Sequence, residues 1–359
     1  MTAWTPGDPP GSRKFVTVGD VQLESGAVLP GVQFAYETWG TFTGDNAVLV
    51  LHALTGDSHV VGGVEPGHLS PGWWDGLVGP GKGIDTNKYF VVAPNILGGC
   101  QGTTGPASLA PDNKPWGSRF PKLTTRDQVS AEIAFADALG IDKWALVIGG
   151  SAGGMRALEW AITVPDRVER LMTIASTAAA SAEQIGFTHT QNDAIRTDPN
   201  FAGGDYYATG KQPAAGLDIA RRIAHITYRS EEELSVRFGR NVQEDGRFAV
   251  NSYLEHHGAK LVNRFDANSY IVIGEAMNSH DVGRDRGGIE KALSKITAKT
   301  VVAGVDSDRL YPLHQQELMA QTIPDCGELQ IVNSLFGHDA FLIETEQVAK
   351  IVNSVFENF

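Results

Sequence analysis

The sequence predicts an α/β protein with a mostly parallel sheet, flanking helices and an inserted helical region. Five short, continuous apolar runs are typical of strands covered on both faces: 47–51, 89–93, 144–148, 171–174 and 300–303. Helical stretches lie between several of these runs, notably 125–139, 154–163 and 313–322. This alternation of strand and helix indicates parallel strands joined by right-handed crossovers.

The start and the middle of the chain depart from this alternation. Residues 14–23 and 32–38 alternate apolar and polar side chains about a Gly-rich turn, which predicts an antiparallel hairpin at a sheet edge. Residues 181–296 are polar and lack the apolar runs of core strands. The clearest helices predicted in this stretch are 217–229, 231–239 and 247–263.

An insertion between two sheet strands tends to lie over the carboxyl edge of the sheet, where ligands of α/β proteins bind. We therefore interpret the insertion as a lid. The chain divides into an α/β core, residues 1–180 and 297–359, and a helical lid, residues 181–296. A helical domain without a role at the site is the alternative.

The composition is that of a globular protein with an acidic surface. Of the 359 residues, 42% are hydrophobic and 20% charged, and the formal net charge is −13. An acidic surface does not attract polyphosphate or acidic lipid, so we expect neither a nucleic acid nor a membrane as partner. Cys100 and Cys326 lie far apart without C-x-x-C spacing, which disfavours a disulfide framework. Since no signal-peptide pattern or long apolar run occurs, we expect a cytoplasmic protein.

A serine between glycines is the strongest candidate for chemistry. Residues 143–160 read as an apolar strand that breaks at glycines around Ser151 and resumes as a helix, expected to begin at Gly154. Gly149, Ser151 and Gly153 match the G-x-S-x-G pattern of a nucleophile elbow, where a side chain at either glycine would clash. A plain loop is the alternative, but the flanking strand and helix favour a nucleophile facing the amides of the helix start.

A nucleophilic serine needs a base, and the base needs an orienting acid. In folds with such an elbow, the acid and then the histidine follow on loops after late strands. Asp306 and Asp308 follow one predicted late strand, and His338 follows the next, beside Gly337. We expect His338 to be the base. The spacing does not choose between the two aspartates, and either could instead cap the helix that begins near Leu313.

An oxyanion hole requires two backbone amides. Ala152, directly after the serine, is expected to supply one. The loop 52–56, after the strand 47–51, is expected to supply the other, with Leu54 as the donor and its immediate neighbours as alternatives. His52 could equally be an ordinary turn residue without a role in the oxyanion hole.

Metal and nucleotide motifs are weak in this sequence. Residues 76–82 resemble a phosphate-binding loop, but Gly83 stands where Ser or Thr would hold Mg²⁺, and no clear strand precedes the segment. No H-E-x-x-H or other convincing metal spacing occurs. We therefore expect chemistry with no metal and no permanently bound cofactor.

Six segments carry a resemblance to a known family. They are HALTGD (52–57), NILGGCQGTTGP (95–106), GGSAGGMRALEW (149–160), ARRIAHITYRS (220–230), SDRLYP (307–312) and GHDAF (337–341). Together they resemble the homoserine O-acetyltransferase family of methionine biosynthesis. The resemblance implies an α/β-hydrolase fold with a helical lid and a homodimer formed through that lid. It also implies ping-pong transfer of an acetyl group from the cosubstrate acetyl-CoA through Ser151 to L-homoserine.

The resemblance also implies roles for individual residues. It selects Asp308 as the acid, because the family's aspartate directly precedes the Arg-Leu-Tyr-Pro run. It assigns Arg221, Tyr228 and Asp339 to the amino-acid substrate. The chemistry agrees, since an arginine can grip a carboxylate and an aspartate can hold an ammonium, although Arg221 could otherwise face solvent on a charged helix. The family has Met after the serine where this chain has Ala152, a difference that bears on acyl specificity.

Other functions share these motifs. Relatives that use succinyl-CoA or acylate L-serine carry them too, and the same triad hydrolyses esters when water replaces the acceptor. A non-catalytic binding protein that kept the fold is a further alternative. The complete set of serine, aspartate and histidine argues against it.

Overall fold

An eight-stranded sheet forms the centre of the computed structural model, which describes residues 2–357. Its strands are β1 (Lys14–Gln22), β2 (Val28–Trp39), β3 (Ala47–Leu51), β6 (Phe90–Pro94), β7 (Leu146–Gly150), β8 (Arg170–Ile174), β9 (Lys299–Val305) and β10 (Gln330–Val332), while β4 (Val78–Gly79) and β5 (Ile84–Asp85) form a separate pair. The strand order is β1-β2-β6-β3-β7-β8-β9-β10. Strand β2 pairs antiparallel with β1 and β6, and all later pairs are parallel. The predicted edge hairpin and mostly parallel sheet are confirmed.

Helices cover both faces of this sheet and fill the gap in sequence between β8 and β9. They are α1 (Thr125–Ala138), α2 (Ala152–Thr163), α3 (Ala182–Arg196), α4 (Ala214–Tyr228), α5 (Glu231–Phe238), α6 (Ala249–Val262), α7 (Ala267–Asn278), α8 (Ile289–Leu293), α9 (Leu313–Thr322), α10 (Ala340–Ile343) and α11 (Thr345–Glu357). Within residues 2–357, none of the helices combines the length and apolar character required to cross a membrane.

Alternating side chains of the central strands enter two apolar layers. On β3, Leu49 and Leu51 pack into the layer that contains α1 and α2. Val48 and Val50 point the other way, into the layer that contains α11. Because both faces are covered, these strands are continuous apolar runs in the sequence. The double covering leaves the ends of the strands as the accessible part of the sheet.

The helices between β8 and β9 pack mainly on one another. Helices α4, α5 and α6 correspond to the three predicted helices, with ends shifted by up to three residues. Helices α3 and α7 carry weaker apolar patterns, since their buried faces include Gln191, Asn192 and Asn268. An apolar cluster with Leu217 and Tyr270 joins these helices to Ile96, in the loop after β6. The boundaries of the lid stay a prediction.

Candidate active site

Ser151 lies in the sharp turn between β7 and α2, where the backbone is strained. Its φ of 54° and ψ of −123° lie outside the regions that L-residues ordinarily occupy. The Ser151 amide donates to the carbonyl of Ile174 at 3.0 Å, and the hydroxyl of Ser176 donates to the Ser151 carbonyl at 2.8 Å. These hydrogen bonds hold the strained peptide in place at the carboxyl edge of the sheet.

The two glycines of the motif are required by close packing around the serine. A Cβ on Gly153 would lie 2.0 Å from the carbonyl oxygen of Leu51, and a Cβ on Gly149 would lie 2.3 Å from the backbone of Gly153. The predicted steric reason for both glycines is therefore confirmed. Helix α2 begins at Ala152 rather than at Gly154, because the chain becomes helical directly after the strained serine.

Asp308 and His338 form a buried hydrogen-bonded pair. Nδ1 of His338 lies 2.7 Å from Oδ2 of Asp308. The other carboxylate oxygen accepts hydrogen bonds from the amides of Leu310 and Tyr311, each at 2.9 Å. Asp306, in contrast, is exposed and accepts a backbone amide at 3.0 Å. The geometry thus distinguishes the two aspartates that the spacing left open.

The surroundings of His338 favour its protonated form. Burial by itself would lower the pKa of His338, but the charge of Asp308 and the hydrogen bond to it raise that pKa above its ordinary value, with Asp339 contributing. Burial raises the pKa of Asp339, while Arg229, His338 and Arg221 oppose that rise. An imidazole stabilised in this way can take a proton from a hydroxyl and hold it during a reaction.

Ser151 and His338 line the same cavity, which has a volume of about 160 Å³. Since Nδ1 of His338 faces Asp308, Nε2 is the nitrogen left to serve the serine. Tyr311, which was not predicted as a site residue, lines the same cavity as Ser151. Its ring stacks on His338, with centroids 4.9 Å apart. Burial raises the pKa of Tyr311, so the group is a neutral phenol. The sole feature of the sequence that points to Tyr311 is its place in the Arg-Leu-Tyr-Pro run.

The loop after β3 faces the serine across this cavity. Leu54 and Thr55 are among the lining residues, and Thr55 has a φ of 68°. Ala152 is buried at the first turn of α2. Amides of Leu54 and Ala152 as donors to an oxyanion remain a prediction.

A buried ion pair holds the start of the loop after β3 in place. The guanidinium of Arg156 pairs with Glu132 and donates to the carbonyl of His52 at 2.7 Å. Trp160 donates to the second oxygen of Glu132 at 2.9 Å. On the ring of His52, Nε2 accepts the amide of Ile96 at 3.0 Å. Because burial and the nearby Arg156 lower the pKa of His52 to about 3, this ring is a neutral structural acceptor.

Helix α4 and the turn that contains His338 bring the predicted amino-acid ligands to the same cavity. Arg221 donates to the hydroxyl of Thr55 at 3.3 Å, and its guanidinium lies 5.5 Å from the ring of Tyr228. The ring of Tyr228 is 5.6 Å from that of His338. Asp339 lies beside the histidine, with Oδ2 3.3 Å from Nε of Arg229. The structure therefore brings Arg221, Tyr228 and Asp339 together around Ser151.

Arg264 is a further cavity residue that the sequence did not indicate. Its Nη1 donates to the carbonyl of Thr55 at 2.7 Å, so two arginines from the helical insertion hold one loop residue. Gly337 fixes the opposite wall: with a φ of 64°, it would place a Cβ 2.6 Å from the carbonyl oxygen of Tyr228. The histidine loop and helix α4 are thus in direct backbone contact.

A buried cluster of Glu37, His59 and His68 lies outside the cavity, with its potential metal-ligand atoms within 4.8 Å of one another. The two imidazole rings are stacked at 3.7 Å and nearly parallel, so their nitrogen lone pairs do not converge on one point. His59 bonds to Glu37 at 3.0 Å through Nδ1 and to the carbonyl of Gly63 at 3.1 Å through Nε2. The amide of Ser12 donates to Nε2 of His68 at 3.2 Å. These contacts describe a hydrogen-bonded structural cluster.

The strained serine after a parallel strand, with a buried histidine and aspartate on later loops, defines an α/β-hydrolase-fold protein. In agreement, the chain matches the family described as "alpha/beta hydrolase fold" over residues 46–345. It is 58% identical to homoserine O-acetyltransferase of Thermobifida fusca, across 98% of this chain and 96% of that protein. The chain belongs to the homoserine O-acetyltransferase family, a family of acyltransferase enzymes.

Solved structures place the same fold in two kinds of protein. Homoserine O-acetyltransferase from Bacillus anthracis aligns with a TM-score of 0.88 at 27% identity, covering 96% of this chain and 97% of that one. Esterase E22 aligns with a TM-score of 0.87 at 26% identity, covering 96% and 99%. The scaffold therefore occurs in both a transferase and an esterase, and the residues around the serine must decide the acceptor.

Proposed function

We propose that the protein transfers an acetyl group from acetyl-CoA to the hydroxyl of L-homoserine, a step of methionine biosynthesis. The observation that carries this proposal is the near full-length similarity to homoserine O-acetyltransferases. The cavity supports it, because Ser151 faces Arg221 and Asp339, which suit the carboxylate and ammonium of an amino acid. Acetyl-CoA is a cosubstrate, and the mechanism needs no metal or permanently bound cofactor.

In the first half-reaction, Nε2 of His338 takes the hydroxyl proton as Oγ of Ser151 attacks the thioester carbonyl. The amides of Leu54 and Ala152 stabilise the resulting oxyanion. When the carbon–sulfur bond breaks, His338 returns the proton to the departing thiolate of CoA. Asp308 holds the imidazole in the required tautomer and stabilises its charged form.

In the second half-reaction, L-homoserine occupies the space that CoA has left. Arg221 binds its carboxylate, Asp339 its ammonium, and Tyr228 closes the wall between them. His338 takes the proton of the homoserine hydroxyl, whose oxygen attacks the acetyl carbonyl. As the ester bond to Ser151 breaks, His338 returns the proton to the serine oxygen. The products are O-acetylhomoserine and free enzyme.

The protein is further proposed to be a cytoplasmic homodimer that assembles through its lid. Three apolar side chains on the lid support the dimer, because they are unusually exposed: Val236 (75%), Val242 (59%) and Phe248 (42%). Sedimentation should give the mass of a dimer, and Val236→Glu should shift it toward monomer. A monomeric wild-type protein would contradict this assembly.

A substrate panel tests the proposed activity. Acetyl-CoA and succinyl-CoA are each mixed with L-homoserine, L-serine or buffer, and CoA release is followed together with the acylated product. Acetyl-CoA with L-homoserine should react fastest, and Ser151→Ala should be inactive. Thioester hydrolysis in buffer as fast as transfer, or faster reaction with succinyl-CoA or L-serine, would contradict the proposal.

A further inference from the structure

A second cavity of about 220 Å³, here called the basic pocket, adjoins the serine cavity between α4, α6 and α10. Four permanently charged cations line it: Arg221, Arg229, Lys260 and Arg264. Two histidines, His225 and His257, complete its polar lining with a single carboxylate, Asp339. Arg221, Arg264 and Asp339 also line the serine cavity, so the two spaces are contiguous.

Positive charge in the basic pocket exceeds its negative charge. Arg229 is neutralised, since it lies 3.3 Å from Asp339 and 4.0 Å from Glu233. For the other three cations, the chain between residues 2 and 357 places no carboxylate within 4.0 Å of the charged nitrogens. The protein as a whole carries a net charge of −13, so this surplus is local. Arg221 and Arg264 are partly buried, and partly buried cations without counter-ions are costly to fold; with the exposed Lys260 beside them they indicate an anionic ligand.

One of the histidines that line this pocket has an unused hydrogen-bonding atom. His225 is 3% exposed, and its Nδ1 lies 3.2 Å from the hydroxyl of Tyr253. Its Nε2 is buried and makes no hydrogen bond. Burial and the charge of Arg221 lower the pKa of His225, and the same causes lower that of His257 to about 4, so both rings are neutral. When the Tyr253 hydroxyl donates to Nδ1, Nε2 carries a proton that it can donate to an anion.

We infer that the basic pocket binds the phosphate groups of the acyl donor, a CoA thioester, while its arm reaches Ser151 through the contiguous cavity. This inference rests on the proposed acetyl transfer. The amino-acid acceptor carries one carboxylate, which Arg221 alone can bind, so Lys260, Arg264 and the Nε2 of His225 exceed its needs. CoA carries several phosphate charges at the far end of a flexible arm. We therefore assign Arg221 to the acceptor and the remaining groups to the phosphates of the donor.

Truncating the donor tests this assignment. Acetyl-pantetheine keeps the thioester and the arm of acetyl-CoA but lacks its phosphates. The ratio of kcat/KM for acetyl-CoA to that for acetyl-pantetheine is measured with L-homoserine for the wild type and for Lys260→Gln, a substitution at an exposed position. Loss of one charge-assisted contact should lower the ratio about tenfold. Raised salt should lower the wild-type ratio as well.

Two variants serve as controls. Lys260→Arg keeps the charge and should keep the wild-type ratio. Lys143→Gln removes a matched, exposed charge from the opposite edge of the sheet and should leave the ratio unchanged. A ratio for Lys260→Gln equal to that of the wild type, or an equal loss with both donors, would overturn the assignment. If neither donor acetylates L-homoserine in the wild type, the proposed function itself fails, which is a separate outcome.

Discussion

The edge of the sheet and the face of the lid meet at one cavity, but charged side chains are paired at the sheet edge and partly unpaired on the lid. At the sheet edge, the carboxylate of Asp308 accepts three hydrogen bonds, and the buried Arg156 is paired with Glu132. On the lid, the hydrogen bonds that Arg221 and Arg264 donate within residues 2–357 go to uncharged oxygens of Thr55. The sheet edge is complete without substrate, as preorganised chemistry requires. The lid keeps unpaired charges that substrates can neutralise.

Removing the charge at the sheet edge should have the largest effect on activity. Asp308→Asn should lower kcat about 10⁴-fold, because an amide neither fixes the tautomer of His338 nor stabilises its charged form. Steady-state transfer to L-homoserine measures this. Asp306→Asn is the matched control and should keep nearly full activity, since that carboxylate is exposed. Equal losses in the two variants would erase the distinction between the two aspartates.

Removing a charge that faces the lid should affect one substrate rather than the chemistry. Asp339→Asn should raise KM for L-homoserine about 10- to 100-fold, the effect of one charge-assisted hydrogen bond to an ammonium. Single-turnover release of CoA without acceptor should change far less, which makes the first half-reaction the internal control. If both half-reactions slow equally, Asp339 acts through His338 and does not bind the acceptor.

Added methyl groups should change stability in opposite directions in the two regions. Gly153→Ala at the sheet edge should destabilise the protein by about 2–3 kcal/mol, because its Cβ would press on the backbone at Leu51. Gly186→Ala in α3 should stabilise it by about 0.5–1 kcal/mol, since a Cβ there meets open space on an exposed helix. Urea unfolding followed by circular dichroism measures both. A neutral Gly153→Ala would refute the tight contact.

The smallest predicted effect is a shift in pH dependence. His338 must be neutral to act as base, and its pKa is raised above the ordinary 6.5. Consequently kcat/KM should fall as the pH drops through a value above 6.5. Asp308→Asn removes the main cause of the raised pKa of His338. The acidic limb of the kcat/KM–pH profile, measured on the residual activity of this variant, should therefore move to lower pH. An unchanged limb in that variant would mean that another group controls it.

Local sequence patterns predicted the sheet edge better than the lid face. The elbow around Ser151 is visible as a five-residue pattern, and Gly149 meets a local steric demand, the backbone of Gly153, although Gly153 itself packs against the distant Leu51. The lid contacts depend instead on distant segments: Arg264 reaches Thr55 across 209 positions of sequence, and no local pattern reports such a contact. Tyr311 lies within a recognised motif, yet its place beside the serine and its stacking on His338 exist only after folding.

The choice between Asp306 and Asp308 is intermediate between a feature that local sequence predicts and one that depends on distant segments. Spacing alone could not separate Asp306 from Asp308, and the family resemblance selected Asp308. The structure gives the physical reason, since amides two and three residues ahead bind one oxygen of Asp308 and direct the other at His338. Short-range hydrogen bonding of this kind is local, but its geometry is not visible in residue spacing.

The central claim is that Ser151 carries the acetyl group between two substrates, and mass spectrometry of the rapidly quenched enzyme tests it most directly. Mixed with acetyl-CoA alone, the wild-type protein should gain the mass of one acetyl group, mapped to the peptide containing Ser151. Addition of L-homoserine should remove that group as O-acetylhomoserine forms, and Ser151→Ala should gain no mass at this peptide. Steady turnover with Ser151 never acetylated would contradict the account.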